Sequence, residues 1–474
     1  MTDRKPFFSL NVNAFTHRIS VLSASAILKF LLQFIIIVVF AKKLSLADYG
    51  TYQSVWLYIN FFSVVGLFGL SALLLSSPAD AVFSWIKENK KKLYSAALLI
   101  NLLAVGCLFG FGSGFSLSEK LLLLSLLAAQ NISFIGEALL IKIEKEKNVF
   151  FANMIYLFFY STAHFYFLYH SYSLPQLLVC LTGATFVKCI LLAVHCRDIK
   201  ITGENTGTVT IGSQWLYLGL IEILGIVVKW LDKWVVLFLL PVSQFAVYFN
   251  GSYEIPVFGL IATAIGSVIL VDLAKRPKGD AESAKNVFEK SSLFLASVAL
   301  PAFCFLFFYN ESFLHAVFGT KYNESIPIFK ISILILPVRA IYSTAVLQVY
   351  HRADLILKGA VMDLALTIIF AFILYPIMQM RGLALAFVLS TYAQVSFYIW
   401  HTAKIIKKPV WYIFPLRKLA VILILTFAAT AAVKFAFRGV ADKFQMIPGI
   451  ILSAALLCII YIFFYRKIPA TTAP

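Results

Sequence analysis

The sequence predicts an all-α integral membrane protein with about fourteen transmembrane helices. Hydrophobic residues make up 61% of its 474 residues, and charged residues only 13%. This composition leaves too little polar surface for a soluble protein of that size. Fourteen strongly apolar stretches also follow one another along the chain, each about as long as a membrane-spanning helix.

The predicted spans alternate with short loops. In chain order they are 20–41, 52–75, 93–113, 119–141, 149–169, 174–195, 214–240, 245–271, 291–309, 325–349, 355–376, 382–403, 412–433 and 446–465. Residues 81–92, between the second and third spans, read as an amphipathic helix on the cytoplasmic surface, with Trp85 at its apolar side.

The distribution of basic residues predicts the orientation in the membrane. The formal net charge is +18, but the Lys and Arg residues are scattered among short loops and form no continuous basic face, so no nucleic-acid partner is expected. With the N-terminus inside, about three quarters of the loop Lys and Arg lie on the inner side, which is the bias that fixes topology. We therefore expect a multi-pass protein of the bacterial cytoplasmic (inner) membrane with both termini in the cytoplasm.

The loops argue against catalysis. None is long enough for an extramembrane catalytic lobe, and His164, His195 and His351 stand alone, without a zinc or nucleophile motif nearby. We interpret these histidines as hydrogen-bonded or interfacial residues. The six cysteines show no metal-binding spacing. The sequence therefore predicts a transporter and not an enzyme, with no metal site and no cofactor other than a coupling Na⁺ or H⁺.

An internal repeat supports a two-part molecule. Residues 44–52 (LSLADYGTY) align with residues 240–248 (LPVSQFAVY), and the six spans between the copies give them the same direction through the membrane, as in transporters with parallel repeats. The predicted domains are an N-terminal bundle over 1–198, a cytoplasmic linker over 199–213, a second bundle over 214–404, and two additional C-terminal helices over 405–474.

Four segments resemble Wzx-type polysaccharide flippases, of the superfamily that also contains MATE multidrug exporters and lipid II flippases. They are residues 34–52 (FIIIVVFAKKLSLADYGTY), 230–234 (WLDKW), 318–322 (FGTKY) and 381–386 (RGLALA). The likeness extends over nearly the whole chain. It departs from the family pattern at Ala246, which stands where the first repeat copy has Gly50, and at Leu383 and Ala384, which replace part of a glycine pattern.

The resemblance implies two parallel-related six-helix bundles around a central cavity, followed by two C-terminal helices. It also implies flipping of an undecaprenyl-diphosphate-linked oligosaccharide, such as an O-antigen, capsule or exopolysaccharide unit, by alternating access. The expected partners are this lipid-linked oligosaccharide diphosphate, membrane lipids and the polysaccharide polymerase or assembly machinery. A lipid II flippase is the nearest alternative. A MATE-type cation antiporter is less favoured, because it usually needs an acid in the first helix, where this chain offers only Lys29.

Charged residues inside the spans are the candidate functional residues, since burying one at mid-membrane costs on the order of 3 kcal/mol or more. A cavity for a lipid diphosphate needs positive charge. The expected substrate-binding residues are Lys29, Lys229, Lys233 and Arg339. The expected coupling residues or charge partners are Glu222, Asp232 and Asp363. An ion-paired structural seam is the alternative interpretation of the same residues.

Helical spacing suggests how some of these groups are arranged. Lys229, Lys233 and Glu222 fall near one face of the seventh span, and Asp232 could orient either lysine. Asp363 is a candidate partner for Arg339, which follows Pro337 in a span that the proline is expected to open. Two further charged residues, Lys188 and Glu137, lie nearer the cytoplasmic ends of their spans and are expected to snorkel or hydrogen-bond.

Overall fold

The computed structural model consists of helices joined by short turns. It describes residues 12–77, 79–111, 114–170, 173–197, 208–255, 280–440 and 442–462, with short pieces between 258 and 273. Throughout these ranges every regular element is a helix. The predicted fold class, an all-α integral membrane protein, is therefore confirmed.

The first eight helices carry the chain through the first repeat and into the second. They are α1 (Val12–Lys43), α2 (Leu46–Leu67), α3 (Leu70–Ser76), α4 (Ala79–Phe111), α5 (Leu117–Lys142), α6 (Glu146–Tyr169), α7 (Leu174–Cys196) and α8 (Thr208–Leu239).

Ten further α-helices follow in the described residues. They are α9 (Val242–Gly251), α10 (Ala281–Phe308), α11 (Asn310–Phe318), α12 (Ser325–Ser332), α13 (Ala345–Val349), α14 (Ala353–Met378), α15 (Met380–Ile406), α16 (Val410–Ile413), α17 (Leu416–Ala436) and α18 (Asp442–Ile460). Short 3₁₀ turns lie at Thr320–Tyr322, Ile333–Ile335 and Val338–Ala340.

The helix order follows the predicted spans. By length and composition alone, seven helices of the described chain could each cross a membrane, or eight if the bent pair α2 and α3 counts as one span. The seven are α5, α7, the part of α8 from Ile211, α10, α14, α15 and α17. Where they are described, the remaining predicted spans coincide with helices or broken helices, so the total of fourteen is consistent with the helix order and stays a prediction.

The chain divides into two compact units, residues 1–230 and 231–474. The boundary lies inside α8, whereas most of the predicted linker, 199–213, lies outside the described residues. The predicted bundles over 1–198 and 214–404, and the additional helices over 405–474, therefore remain a prediction.

The two copies of the repeat fold alike, each within its own unit. In the first, α2 begins after Ser45, whose side chain accepts a hydrogen bond from the Asp48 backbone N–H at 3.1 Å, as helix N-caps commonly do. In the second, α9 begins after Pro241, the equivalent position. Tyr52 and Tyr248, which align in the repeat, are both buried. Each copy of the repeat is thus a turn that begins a helix and places a tyrosine side chain in the core.

The second predicted span is broken in the middle. Helices α2 and α3 meet at an angle of 56°, and the break is made by Phe68 and Gly69, both with positive φ (43° and 73°). A side chain at Gly69 would collide with the backbone of Gly219 in α8, so glycine is required by contact as well as by conformation. The break brings α8 close to the start of α3, with Glu222 beside the Gly69 backbone N–H.

The predicted amphipathic helix around Trp85 is part of a longer helix, and its position at the membrane surface stays a prediction. Residues 79–111 form a single uninterrupted helix, α4, and Trp85 is buried in the first unit beside Trp215, at 5.5 Å between ring centroids. The lysines that follow it remain exposed. The indole therefore packs in the protein core, because α8 supplies a second indole ring against which it rests.

Candidate functional site: charged groups within the membrane helices

Lys29 lies midway along α1, and no carboxylate of the described residues forms an ion pair with it. Its ammonium group is 6.0 Å from the centroid of the Phe134 ring and within electrostatic range of Lys188 and Glu137. It makes no hydrogen bond or ion pair to any residue that the structure describes. An ammonium group in this setting needs water or an anion to balance its charge.

Lys188 and Glu137 form a buried ion pair next to it. Their charged atoms are 2.5 Å apart, and the Lys188 side chain is only 2% exposed. The ammonium group also lies 5.1 Å from the centroid of the Tyr156 ring. The sequence analysis expected both residues to snorkel or hydrogen-bond, and Lys188 does not snorkel. The two residues lie at similar distances from the C-terminal ends of α7 and α5, and this shared depth was a signal for the pair.

Lys229 and Glu222 occupy the middle of α8. The Lys229 side chain is exposed, with its ammonium group 5.4 Å from the centroid of the neighbouring Trp230 ring, and it forms no ion pair within the described chain. Glu222 is half-buried beside the Gly69 backbone N–H. The Glu222 carboxylate is thus placed to accept from the Gly69 amide in the break between α2 and α3, and Lys229 forms no ion pair with it.

Asp232 and Lys233 pair with each other at the end of α8. Their charged atoms are 3.3 Å apart, and both residues are buried. The Tyr248 hydroxyl donates a second hydrogen bond to Asp232 Oδ2 at 2.8 Å. The sequence analysis placed Lys233 on one stripe with Lys229, but only Lys233 is buried and partnered. A closed cluster of this kind stabilises the second unit and has less positive charge to offer a ligand.

Arg339 pairs with Glu254. The two charged groups are 3.2 Å apart and about half exposed, at 47% and 45%. Arg339 lies in the irregular segment between α12 and α13, which confirms the expected opening of the helix at Pro337. Its ion-pair partner is Glu254 and not the expected Asp363, which lies only within its electrostatic range.

Asp363 is buried in α14 with one oxygen unsatisfied. The residue is 2% exposed, and its Oδ1 accepts no hydrogen bond from the described residues. Two hydroxyl groups, of Thr367 and Ser390, lie 2.7 Å apart nearby in α14 and α15. A buried carboxylate oxygen without a donor is costly, so a proton or a cation bound at this position would be stabilised.

The arrangement offers charged groups that could bind an oppositely charged ligand. Where residues are described, no group of three or more His, Cys, Asp or Glu side chains could hold a metal ion. Apolar helices, broken spans and intramembrane charges together define a multi-pass membrane protein with the fold of a transporter.

The family follows from the sequence itself. A family model described as "Polysaccharide biosynthesis protein" matches residues 39–327, more than half of the chain, so the chain belongs to this family of polysaccharide biosynthesis proteins. No curated protein matches the sequence.

Solved structures agree on the fold. The chain is similar to the lipid II flippase MurJ in an inward closed conformation, with a TM-score of 0.66 and 15% identity, covering 94% of this chain and 98% of that one. It is also similar to a MATE family multidrug resistance transporter of the MOP superfamily in an inward-facing conformation (TM-score 0.56, 14% identity, 82% and 98% covered). A third similar structure is a MOP superfamily transporter from Pyrococcus furiosus (TM-score 0.53, 15% identity, 84% and 96% covered). These relatives are transporters or flippases.

Proposed function

We propose that the protein flips a lipid-linked oligosaccharide, joined to its polyprenyl carrier through a diphosphate, from the cytoplasmic to the outer leaflet of the bacterial inner membrane. The observation that carries this proposal is the pair of ammonium groups on Lys29 and Lys229, which lie within membrane helices and form no ion pair in the described chain. A lipid diphosphate supplies the missing negative charge, and charge-assisted contacts to phosphate are strong where water is scarce. Membership of a polysaccharide biosynthesis family supports a saccharide headgroup.

The four proposed substrate-binding residues contribute unequally. Lys29 and Lys229 have charge available, whereas Lys233 is engaged by Asp232 and Arg339 by Glu254. An incoming diphosphate would have to compete with a carboxylate at each of the latter two. We therefore assign the primary contacts with the diphosphate to Lys29 and Lys229. Lys233 and Arg339 could contact it only after their ion pairs with Asp232 and Glu254 are broken.

Alternating access is the proposed mechanism, and it needs no covalent step. A coupling cation, Na⁺ or H⁺, would act on Asp363, Asp232 or Glu222, and Asp363 is the best placed because its Oδ1 is unsatisfied. The saccharide unit would pass to a polymerase or assembly machinery at the outer face. Both termini would remain in the cytoplasm, as the distribution of Lys and Arg favours.

Two other transport functions compete with this one. A lipid II flippase would use the same positive charges, and the similar structure of MurJ keeps this alternative open. A MATE-type antiporter for cations would require negative charge in its first helix, and α1 contains no acidic residue. Complementation of a strain lacking lipid II export separates the first alternative, because a polysaccharide flippase should not restore growth.

The proposed substrate contact is tested by removing each charge. We expect Lys29→Gln and Lys229→Gln to reach the membrane at normal levels but to lower flipping about tenfold or more, which is the effect of losing one charged hydrogen bond. Lys29→Arg and Lys229→Arg keep the charge and should retain much of the activity. The measurement is the sidedness of lipid-linked saccharide in membrane vesicles.

The control is Lys330→Gln, which removes an exposed lysine that contacts the Phe307 ring at 4.7 Å. This residue lies near the outer boundary of its span and should be dispensable. Normal flipping by both glutamine variants at Lys29 and Lys229 would overturn the diphosphate-binding role.

A further inference from the structure

His164 is a buried ionisable residue that the proposed transport mechanism does not use. It lies in the C-terminal half of α6, is completely inaccessible, and packs against aromatic rings of α1, α2 and its own helix. Phe40 of α1 lies 5.4 Å away between ring centroids. Two rings of α2, those of Tyr52 and Trp56, lie at 5.7 and 6.5 Å, and Tyr160, one turn earlier in α6, lies at 4.2 Å.

Both ring nitrogens of His164 are hydrogen-bonded. Nδ1 is 2.7 Å from the Tyr160 carbonyl oxygen, and because a carbonyl only accepts, Nδ1 must carry the proton. Nε2 is 3.0 Å from the Tyr52 hydroxyl. In the neutral imidazole Nε2 accepts from that hydroxyl, and the tautomer is thereby fixed by the two partners.

The same surroundings can hold a protonated ring if two hydroxyl groups turn. If a proton binds Nε2, the Tyr52 hydroxyl accepts from it, since a hydroxyl both donates and accepts, and the Tyr160 hydroxyl, which interacts with the same oxygen, turns with it. Of the four rings around the imidazole, that of Trp56 is stacked on it, at an interplanar angle of 22°. The titratable groups that face His164 are the Tyr52 hydroxyl from α2 and the Tyr160 hydroxyl from its own helix, while α1 contributes the Phe40 ring. Burial opposes the charged form, and the stacked indole offsets part of that cost.

The repeat places a comparable arrangement in the second unit. Tyr248, which aligns with Tyr52, donates to a buried ionisable group, Asp232, at 2.8 Å. That carboxylate already has Lys233 as its counter-ion, whereas no charged side chain of the described residues bonds to His164. Only the imidazole can therefore gain a charge without breaking an existing ion pair.

We propose that His164 is a proton-binding site of the first unit, at which one H⁺ binds Nε2 while the Tyr52 hydroxyl changes from hydrogen-bond donor to acceptor. No bond other than that to the proton is formed, and no co-reactant is needed. Because Phe40 and Tyr52 flank the connection between α1 and α2, the bound proton would change how this helix pair packs on α6. The site thus links proton occupancy to the conformation of the first unit.

Proton binding can be measured without substrate, on the full-length protein in lipid nanodiscs. The Trp56 and His164 rings are stacked at an interplanar angle of 22°, so a charged imidazole should quench the indole. In a His401→Gln background, which removes the contact of His401 with the Trp400 ring at 4.6 Å between centroids, we expect tryptophan emission to fall reversibly on acidification. The fall should be at most about one seventh, since Trp56 is one of 7 tryptophans. In both His164→Gln and Trp56→Phe this component should be absent.

His195→Gln is the matched control. His195 also contacts the carbonyl oxygen four residues earlier, Leu191, at 2.7 Å, but it has no comparable set of aromatic rings. Its variant should keep the full pH-dependent change. Persistence of the wild-type change in His164→Gln would overturn the proposal, and if that variant does not fold, persistence of the change in Trp56→Phe overturns it equally.

The use of this proton in transport rests on the proposed flippase function and is tested separately. An inward proton gradient should stimulate flipping by the wild type, and His164→Gln should lose that stimulation while flipping continues at the rate seen without a gradient. Failure of the protein to flip any lipid-linked saccharide would remove the proposed function but leave the fluorescence result standing. Equal stimulation of the wild type and His164→Gln would remove the coupling role.

Discussion

The ion pair of Glu137 and Lys188 leads to an unequal response to mutation. Lys29 lies within electrostatic range of both residues but forms no ion pair in the described chain. Glu137→Gln leaves the buried Lys188 ammonium group without a carboxylate, and should destabilise the protein by about 3–5 kcal/mol. Lys188→Met should cost less, because Lys29 remains to balance Glu137. Thermal unfolding of the purified variants measures the difference.

A double variant at Glu137 and Lys188 separates the contribution of their ion pair to stability from the contribution of the surrounding residues. Glu137→Gln combined with Lys188→Met removes both charges, and we expect it to regain most of the stability that Glu137→Gln alone loses. A double variant as unstable as the sum of the two single variants would mean that each side chain acts independently of the other. Equal losses in the two single variants would exclude Lys29 as a substitute partner.

The sequence predicted which charged residues lie within the membrane helices better than it predicted their ion-pair partners. Asp232 and Lys233 are adjacent in the sequence, so their pairing could be anticipated, and the pair of Lys188 and Glu137 was in principle visible from equal depth. The pair of Arg339 and Glu254 was not, because both residues lie in irregular segments, where helical periodicity no longer fixes the direction of a side chain.

At the scale of elements, the contact between α14 and α15 requires glycine at position 382. A Cβ added to Gly382 would meet the backbone carbonyl of Leu374, and backbone cannot move aside as a flexible side chain can. We expect Gly382→Ala to destabilise the protein by about 1–3 kcal/mol through overpacking, and to lower its thermal midpoint in detergent.

Gly183→Ala in α7 is the control. No atom outside its own local helix lies within 4 Å of an added Cβ there, so alanine should be tolerated and should favour the helix by about 1 kcal/mol. A matching loss of stability in the two variants would show that the close approach at Gly382 is not what limits substitution. The motif at residues 381–386 was recognised from sequence, but the reason for its glycine became clear only from the neighbouring helix.

The helices were easier to predict than their interruptions. Long apolar stretches are sufficient to place α5, α7 and α14, since every backbone polar group in lipid must be satisfied within a helix. The break at Phe68 and Gly69 has no such signal, because one of its two left-handed residues is a phenylalanine. Its position depends on the contact between Gly69 and Gly219, which no local pattern contains.

At the scale of the whole molecule, the fourteen-span topology can be tested by labelling. In a variant without the native cysteines, single cysteines at Ser118 and Asn323 should react with a membrane-impermeant reagent added outside intact cells. Cysteines at Lys91 and Lys147 should react only after the membrane is opened. All four positions are exposed in the structure. External labelling at Lys91 or Lys147 would contradict the orientation that the positive charges predict.

The repeated turn with its buried tyrosine has a consequence for how such a molecule diversifies. Tyr52 hydrogen-bonds to an imidazole on α6, whereas Tyr248 hydrogen-bonds to a carboxylate on α8. The tyrosine is present in both copies of the repeat, but its hydrogen-bond partner comes from a non-equivalent helix in each copy. One copy can therefore acquire a new ionisable partner while the other keeps its own, and a doubled architecture can hold two distinct chemistries on one inherited framework.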